Sequence, residues 1–164
     1  MTRPKIKIQP TLPDRLIEVI GAIGFLCLVV YPILHYAELP DSIPTHFSAD
    51  GKPDSYNDKW MIWLLPGIGA ITYIGLTVLN KYPHIFNYPS EITEENAERQ
   101  YRMATRMIRI LNTSITCFFA YITYSTISIA MGIQNDLGSY FTLFFIGGTV
   151  GITVVYAIMA MRAK

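Results

Sequence analysis

Four stretches of this 164-residue chain are apolar for long enough to cross a lipid bilayer, and no other feature narrows its possible folds as much. They run approximately over Leu16–Tyr36, Trp60–Leu79, Ile108–Met131 and Tyr140–Met161. A hydrocarbon layer of about 30 Å takes about 20 helical residues. Inside it the backbone must satisfy its own polar groups, which a helix does and an open strand does not. With 51% hydrophobic and 15% charged residues, the chain is more apolar than one soluble core of this size requires. The sequence therefore predicts an all-α integral membrane protein. It reads as a four-helix bundle over residues 16–164, preceded by a cytoplasmic leader over 1–15, with the lipid bilayer as its first partner.

Charge sets the expected orientation. Arg3, Lys5, Lys7 and Arg15 precede the first span; Lys81, Arg99, Arg102, Arg106 and Arg109 lie around the second connection; Arg162 and Lys164 close the chain. The first connection has only Lys52 and Lys59, and the third has no basic residue. Basic residues near span ends stay on the cytoplasmic side, so both termini are expected inside a bacterial cytoplasmic (inner) membrane and the loop over 37–59 outside. That loop carries Glu38, Asp41, Asp50, Asp54 and Asp58, a balance that argues against nucleic acid as a partner. The first span is too long for a signal-peptide core of about 7–15 residues, and its flank at His35-Tyr36-Ala37 is too bulky for cleavage. Cys27 and Cys117 fall inside spans with no metal or redox spacing and read as apolar packing.

Local signals fill in the organisation. Pro4, Pro10 and Pro13 predict an extended, mobile leader. Gly21 and Gly24 would let another helix approach the first span closely, and Pro32 would kink or end it. Trp60 and Trp63 suit the membrane boundary, and Pro66, Gly67 and Gly69 predict a bend soon after. Thr93 is a candidate N-cap, with Glu94 and Glu95 in the first turn of a cytoplasmic helix over about 94–107 that runs on into span three. Glu95–Arg99 and Glu98–Arg102 have attractive helical spacing there. Span three is rich in Ser and Thr, which reads as a helix-packing face. Gly147-x-x-x-Gly151 in span four is a helix-contact pattern that would serve this bundle or a homodimer equally.

No span has an Asp, Glu, Lys or Arg at its centre, which counts against an ion-coupled transporter. Attention therefore falls on the outer loop. Asp50-Gly51 is a tight-turn signal, flanked by Thr45-His46-Phe47 and Pro53-Asp54-Ser55-Tyr56, which could pair as a short hairpin limited by Pro44 and Pro53. Such a hairpin would bring His46 and Asp54 together. The pair is a weak metal-ligand candidate; a structural network, with Lys59 covering a helix end, is the competing reading. No nucleophile–base arrangement, phosphate-cradling glycine loop or zinc-protease motif stands out, so neither a catalytic residue nor a cofactor is expected.

The pattern Leu39-Pro40-x-x-Ile43-Pro44-x-His46-Phe47-x-x-x-Gly51-x-Pro53-Asp54-x-Tyr56-x-x-Lys59 resembles a bacterial membrane family of unknown function. A domain of that family also forms the amino-terminal part of the SdpI toxin-immunity protein. The resemblance singles out His46, Gly51, Pro53, Asp54 and Lys59 as ligand-binding or loop-structuring candidates. Immunity proteins of that kind carry a further membrane region, and this chain reads as a short, stand-alone member. The sequence as a whole reads as a non-catalytic membrane protein whose outer loop and adjacent bundle bind an extracytoplasmic ligand, such as a toxic peptide or an envelope component, in an immunity-like role. A metal-binding enzyme at the outer leaflet and a scaffold subunit are the alternatives.

Overall fold

The computed structural model describes residues 3–138 and 140–162. Four helices dominate: α1 (Leu12–His35), α2 (Leu64–Leu79), α3 (Ala97–Ala130) and α4 (Phe141–Arg162). Between α1 and α2 lies a two-stranded antiparallel hairpin, β1 (Ser42–Phe47) and β2 (Pro53–Asp58), flanked by 3-10 turns over Tyr36–Glu38 and Lys59–Trp63. The fold is thus mostly helical, with strands confined to one connection. Three helical segments, Leu12–Glu38, Lys59–Leu79 and Ala97–Ala130, are long and apolar enough to cross a membrane. Among the described residues of α4, the apolar stretch is Gly147–Met159.

The distribution of side chains is the reverse of a water-soluble core. On α1 the buried positions include Gly21, Gly24 and Pro32, while Leu16, Val19, Ile20, Ile23, Leu26, Ile33 and Leu34 face outward. On α3 the buried positions include Asn112, Thr116, Thr123, Ser125, Thr126 and Ser128. Large aliphatic groups left outside would destabilise a monomer in water. In lipid they cost nothing, and small or hydroxylated residues inside allow close helix approach.

Helices α1 and α3 run parallel and in phase. Asp14 meets Arg106, Glu18 meets Arg109, Thr113 donates to the Ile17 carbonyl at 3.0 Å, and Tyr31 packs on Tyr124. A Cβ on Gly21 would stand 2.7 Å from Thr113 Oγ1, and one on Gly24 would stand 2.9 Å from Cys117 Sγ. These two glycines therefore set the helix separation, as their spacing predicts. On the other side, Leu28 fills the place a Cβ of Gly69 on α2 would take.

Several expectations need correction. The leader is extended over residues 3–11 but is strapped down, not mobile. Arg3 donates to the Phe86 and His84 carbonyls, Tyr101 donates its hydroxyl to Pro4 O, and Ile8 packs against a cluster of Ile92, Ala97 and Tyr101. Helix α1 also starts at Leu12, because Pro13 suits a first helical turn and Asp14 accepts from both the amide and the hydroxyl of Thr11. Pro32 lies inside α1, which continues to His35 before tightening. Pro66 falls in the first turn of α2, where its missing N–H is harmless. Helix α3 begins at Ala97, three residues after the expected start: Thr93 and Asn96 bond reciprocally and hold a turn ahead of it. The Glu98–Arg102 pair forms at 2.7 Å, and α3 is one continuous helix from the polar segment into the apolar one.

The Asp14–Arg106 pair fastens this end of the bundle: Nε to Oδ1 is 2.7 Å, and Asp14 is only 2% exposed. Removing the cation strands a buried carboxylate. Arg106→Ala should therefore cost about 2–3 kcal/mol, read as a lower unfolding midpoint in detergent. The double variant Asp14→Ala/Arg106→Ala should lose less than the sum of the single losses.

Candidate functional site

The hairpin is the most elaborated polar feature of the chain. Its tip is built by local chemistry. The Gly51 amide donates to Ser48 O and the Ser48 amide to Lys52 O, both at 2.9 Å. Ser48 Oγ donates to Asp50 Oδ1 at 2.5 Å, and with the Lys52 amide it holds the Asp50 carboxyl below the ordinary carboxylate range. Gly51 has φ +83°, a conformation open to glycine and strained for other residues. Pro53 opens β2 opposite Phe47. The pairing is irregular on both sides of His46, and Pro44 lies beside this bulge, as a residue without an N–H should.

The bulge has a consequence. It brings His46 Nδ1 within 2.6 Å of Asp54 Oδ1 across the hairpin, with the two side chains 70% and 44% exposed. Next to them Asn57 donates to Thr45 Oγ1 at 2.6 Å. The expected His46–Asp54 proximity is thus present. Among the described residues no group of three or more His, Cys, Asp or Glu side chains converges as metal ligands.

Two further anchors fix the hairpin to the helices. At its base, Lys59 donates its amide to Asp41 O at 3.0 Å, sets Nζ 3.4 Å from Asp41 Oδ1, and lies 5.6 Å over the Tyr36 ring. Lys59 therefore ties the two ends of the connection together beside the end of α1. At the tip, the Leu137 amide of the α3–α4 connection donates to Gly51 O at 2.9 Å. Underneath, Ile43 is fully buried with Leu39, Ile62 and Ile127.

Between β1 and the helices lies a cavity of about 310 Å³. His46 stands at its rim, and Pro44, Phe47, Leu65 and Ile122 are among its largely apolar walls. Thr123 lines it too; its side chain is buried, and its hydroxyl has no hydrogen-bond partner among the described residues. A helical threonine ordinarily bonds back to its own helix, as Thr116 does to Asn112 O at 2.7 Å. Thr123 thus places a buried hydroxyl, without a partner among the described residues, in the wall of a largely apolar recess, and a few polar groups among apolar walls are the usual makeup of a small ligand site. The sequence marked Thr123 only as one of many hydroxyls in span three.

A family model described as a domain of unknown function (DUF1648) matches residues 23–70. That interval runs from the middle of α1 through the hairpin into α2 and holds His46, Gly51, Pro53, Asp54 and Lys59. An uncharacterized protein of the archaeon Archaeoglobus fulgidus is 26% identical over 141 residues, covering 77% of each chain. No solved structure matches.

Gly51→Ala should test the tip anchor. A Cβ there would stand 3.3 Å from Gly138 O, in addition to the strain of positive φ. A loss of about 1–2 kcal/mol should appear locally, as faster hydrogen exchange at the Leu137 amide with α1–α3 protection unchanged.

Proposed function

We propose that this chain is a non-catalytic four-span protein of a cytoplasmic membrane, with both ends inside, whose hairpin receives an extracytoplasmic cationic peptide. The observation that carries the reading is the recess beneath β1, with its unpartnered Thr123 hydroxyl and with His46 at its rim. Such a recess accepts one apolar side chain and one hydrogen-bond donor. Around it the connection over 37–59 carries five acidic residues against two lysines, so it attracts a basic ligand. The orientation is supported by the clustering of basic residues on the leader, the α2–α3 connection and the start of α3. Helix α4 serves as the fourth span on length, since its 22 residues correspond to about 33 Å. An immunity-like role against a membrane-active peptide is the physiological form of this reading.

A second reading, self-association, is favoured by one feature of α4. A Cβ on Gly147 would meet nothing within 4 Å among the described residues, which leaves room for a second copy at that position, whereas Gly148 and Gly151 line cavities between α4 and α3.

The test is protection of cells against cationic membrane-active peptides. His46→Ala/Asp54→Ala should abolish it at unchanged membrane insertion. Thr123→Val should weaken it about tenfold, the effect of losing one hydrogen bond to a ligand. Its stability should be unchanged or raised, since the hydroxyl has no partner to lose among the described residues. Full protection by both variants would remove the recess from the function.

A further inference from the structure

A second cavity lies at the opposite end of the bundle, where α1, α2 and α3 converge, and is about 680 Å³. Its polar lining comes from residues distant in sequence: Arg15 and Glu18 of α1, Asn80 and Lys81 after α2, and Arg109 and Asn112 of α3. Three cations face one carboxylate. Arg109 Nε is committed to Glu18 Oε1 at 2.7 Å, which leaves its remaining guanidinium N–H groups available. The side chains of Arg15 and Lys81 make no ion pair or hydrogen bond among the described residues. Surplus positive charge in a cleft between apolar helices is the electrostatic signature of a site for a phosphate group.

The second, independent observation is Asn112. It is 6% exposed, and its amide nitrogen is bonded at 3.2 Å to both Tyr73 O and Thr77 Oγ1. Those bonds leave the opposite atom, Oδ1, without a donor among the described residues, and the Asn80 Oδ1 is buried without one there as well. A buried carbonyl oxygen without a donor is costly. Both asparagines line the cleft, so a small rotation of either side chain would offer a carbonyl oxygen to an N–H or O–H donor there, while the cations call for an anion. Aliphatic side chains of all three helices complete the walls. An inorganic anion would answer the cations and leave both the acceptors and the apolar walls unused.

We propose that this cleft binds a phosphate-bearing group that also carries a hydroxyl or ammonium donor. A phospholipid headgroup, with its acyl chains lying along the helices, has this chemistry, as does a soluble phosphate ester. Arg15 and Lys81 hold the phosphate, and Asn112 Oδ1 accepts from the headgroup.

Detergent-purified full-length protein should be delipidated and titrated, under native mass spectrometry, with phosphatidylglycerol, phosphatidylcholine and glycerol 3-phosphate in parallel. Retention of phosphatidylglycerol over phosphatidylcholine, which lacks a headgroup donor, is the expected result. Arg15→Gln/Lys81→Gln should lower that retention about tenfold, with each single variant intermediate and Lys52→Gln, at the hairpin end, unchanged. The Arg15 and Lys81 side chains make no hydrogen bond or ion pair among the described residues, so the double variant should keep the wild-type unfolding midpoint. Glycerol 3-phosphate binding lost in the double variant, without lipid selectivity, would support the site with a soluble phosphate as its ligand. Equal retention of every probe by wild type and the double variant, or no preference between the two lipids and no glycerol 3-phosphate binding, would overturn the proposal.

Discussion

The parallel contact of α1 with α3 is the constraint on which the rest of the structure depends. Parallel neighbours cannot be joined by a tight turn, so the chain between them has to leave one end of the bundle and return from the other. It does so through the hairpin, α2 and the loop before α3. Close approach along this seam requires that neither helix present bulk. Gly21 and Gly24 supply the space on α1, and Thr113 and Cys117 fill it from α3. At one end the seam is closed by charge, Asp14 to Arg106 and Glu18 to Arg109. At the other it is closed by packing, with Ile127, Tyr31 and Tyr36 around Ile43 of the hairpin.

That division of labour follows from the solvent. A hydrocarbon surrounding removes the hydrophobic force between helices, so association rests on packing and hydrogen bonds. Hence the interior is rich in Gly, Ser, Thr and Asn, with Leu28 and Ile127 among its buried aliphatic residues, while most large aliphatic residues of the helices point outward. Where the helices emerge into water, burial of apolar groups regains its force. There the chain does form small conventional cores: Leu39, Ile43, Ile62 and Ile127 at one end, Ile92, Ala97 and Tyr101 at the other.

What the sequence discloses about this arrangement depends on the range of the interaction. Helical apolar runs, the Asp50-Gly51 turn and the flanks that place His46 beside Asp54 are local, and each is legible from a few consecutive residues. The leader is not. Its prolines encode extension correctly, but its attachment depends on Tyr101 and Phe86, more than eighty positions away. Asp14 and Arg106 have the same character, as does the bond between Leu137 and Gly51. Glycine at position 51 answers two demands at once, a positive φ and a neighbouring backbone, and only the first is visible in the turn motif. Thr123 was hidden for a different reason: in a hydroxyl-rich helix, composition does not distinguish side chains without a partner, such as Thr123 and Ser125, from those that bond back to the helix.

The exposed His46–Asp54 pair does little for the fold. An ion pair at such exposure contributes about 0–1 kcal/mol even when fully formed. The hairpin is held instead by burial of Ile43, by the Gly51–Leu137 bond and by the Lys59 tie to Asp41. An imidazole placed at the rim of an apolar recess, and oriented by a carboxylate across a bulge, is therefore surplus to the stability of the connection that carries it. Its ring is fixed through Nδ1, which leaves Nε2 for whatever enters the recess. The bulge that creates this arrangement disrupts regular pairing in a strand pair of six residues each, where a regular ladder would have been more stable. What the bulge yields against that cost is an imidazole oriented at the rim of the recess, which is the arrangement the proposed ligand-binding role requires of the hairpin.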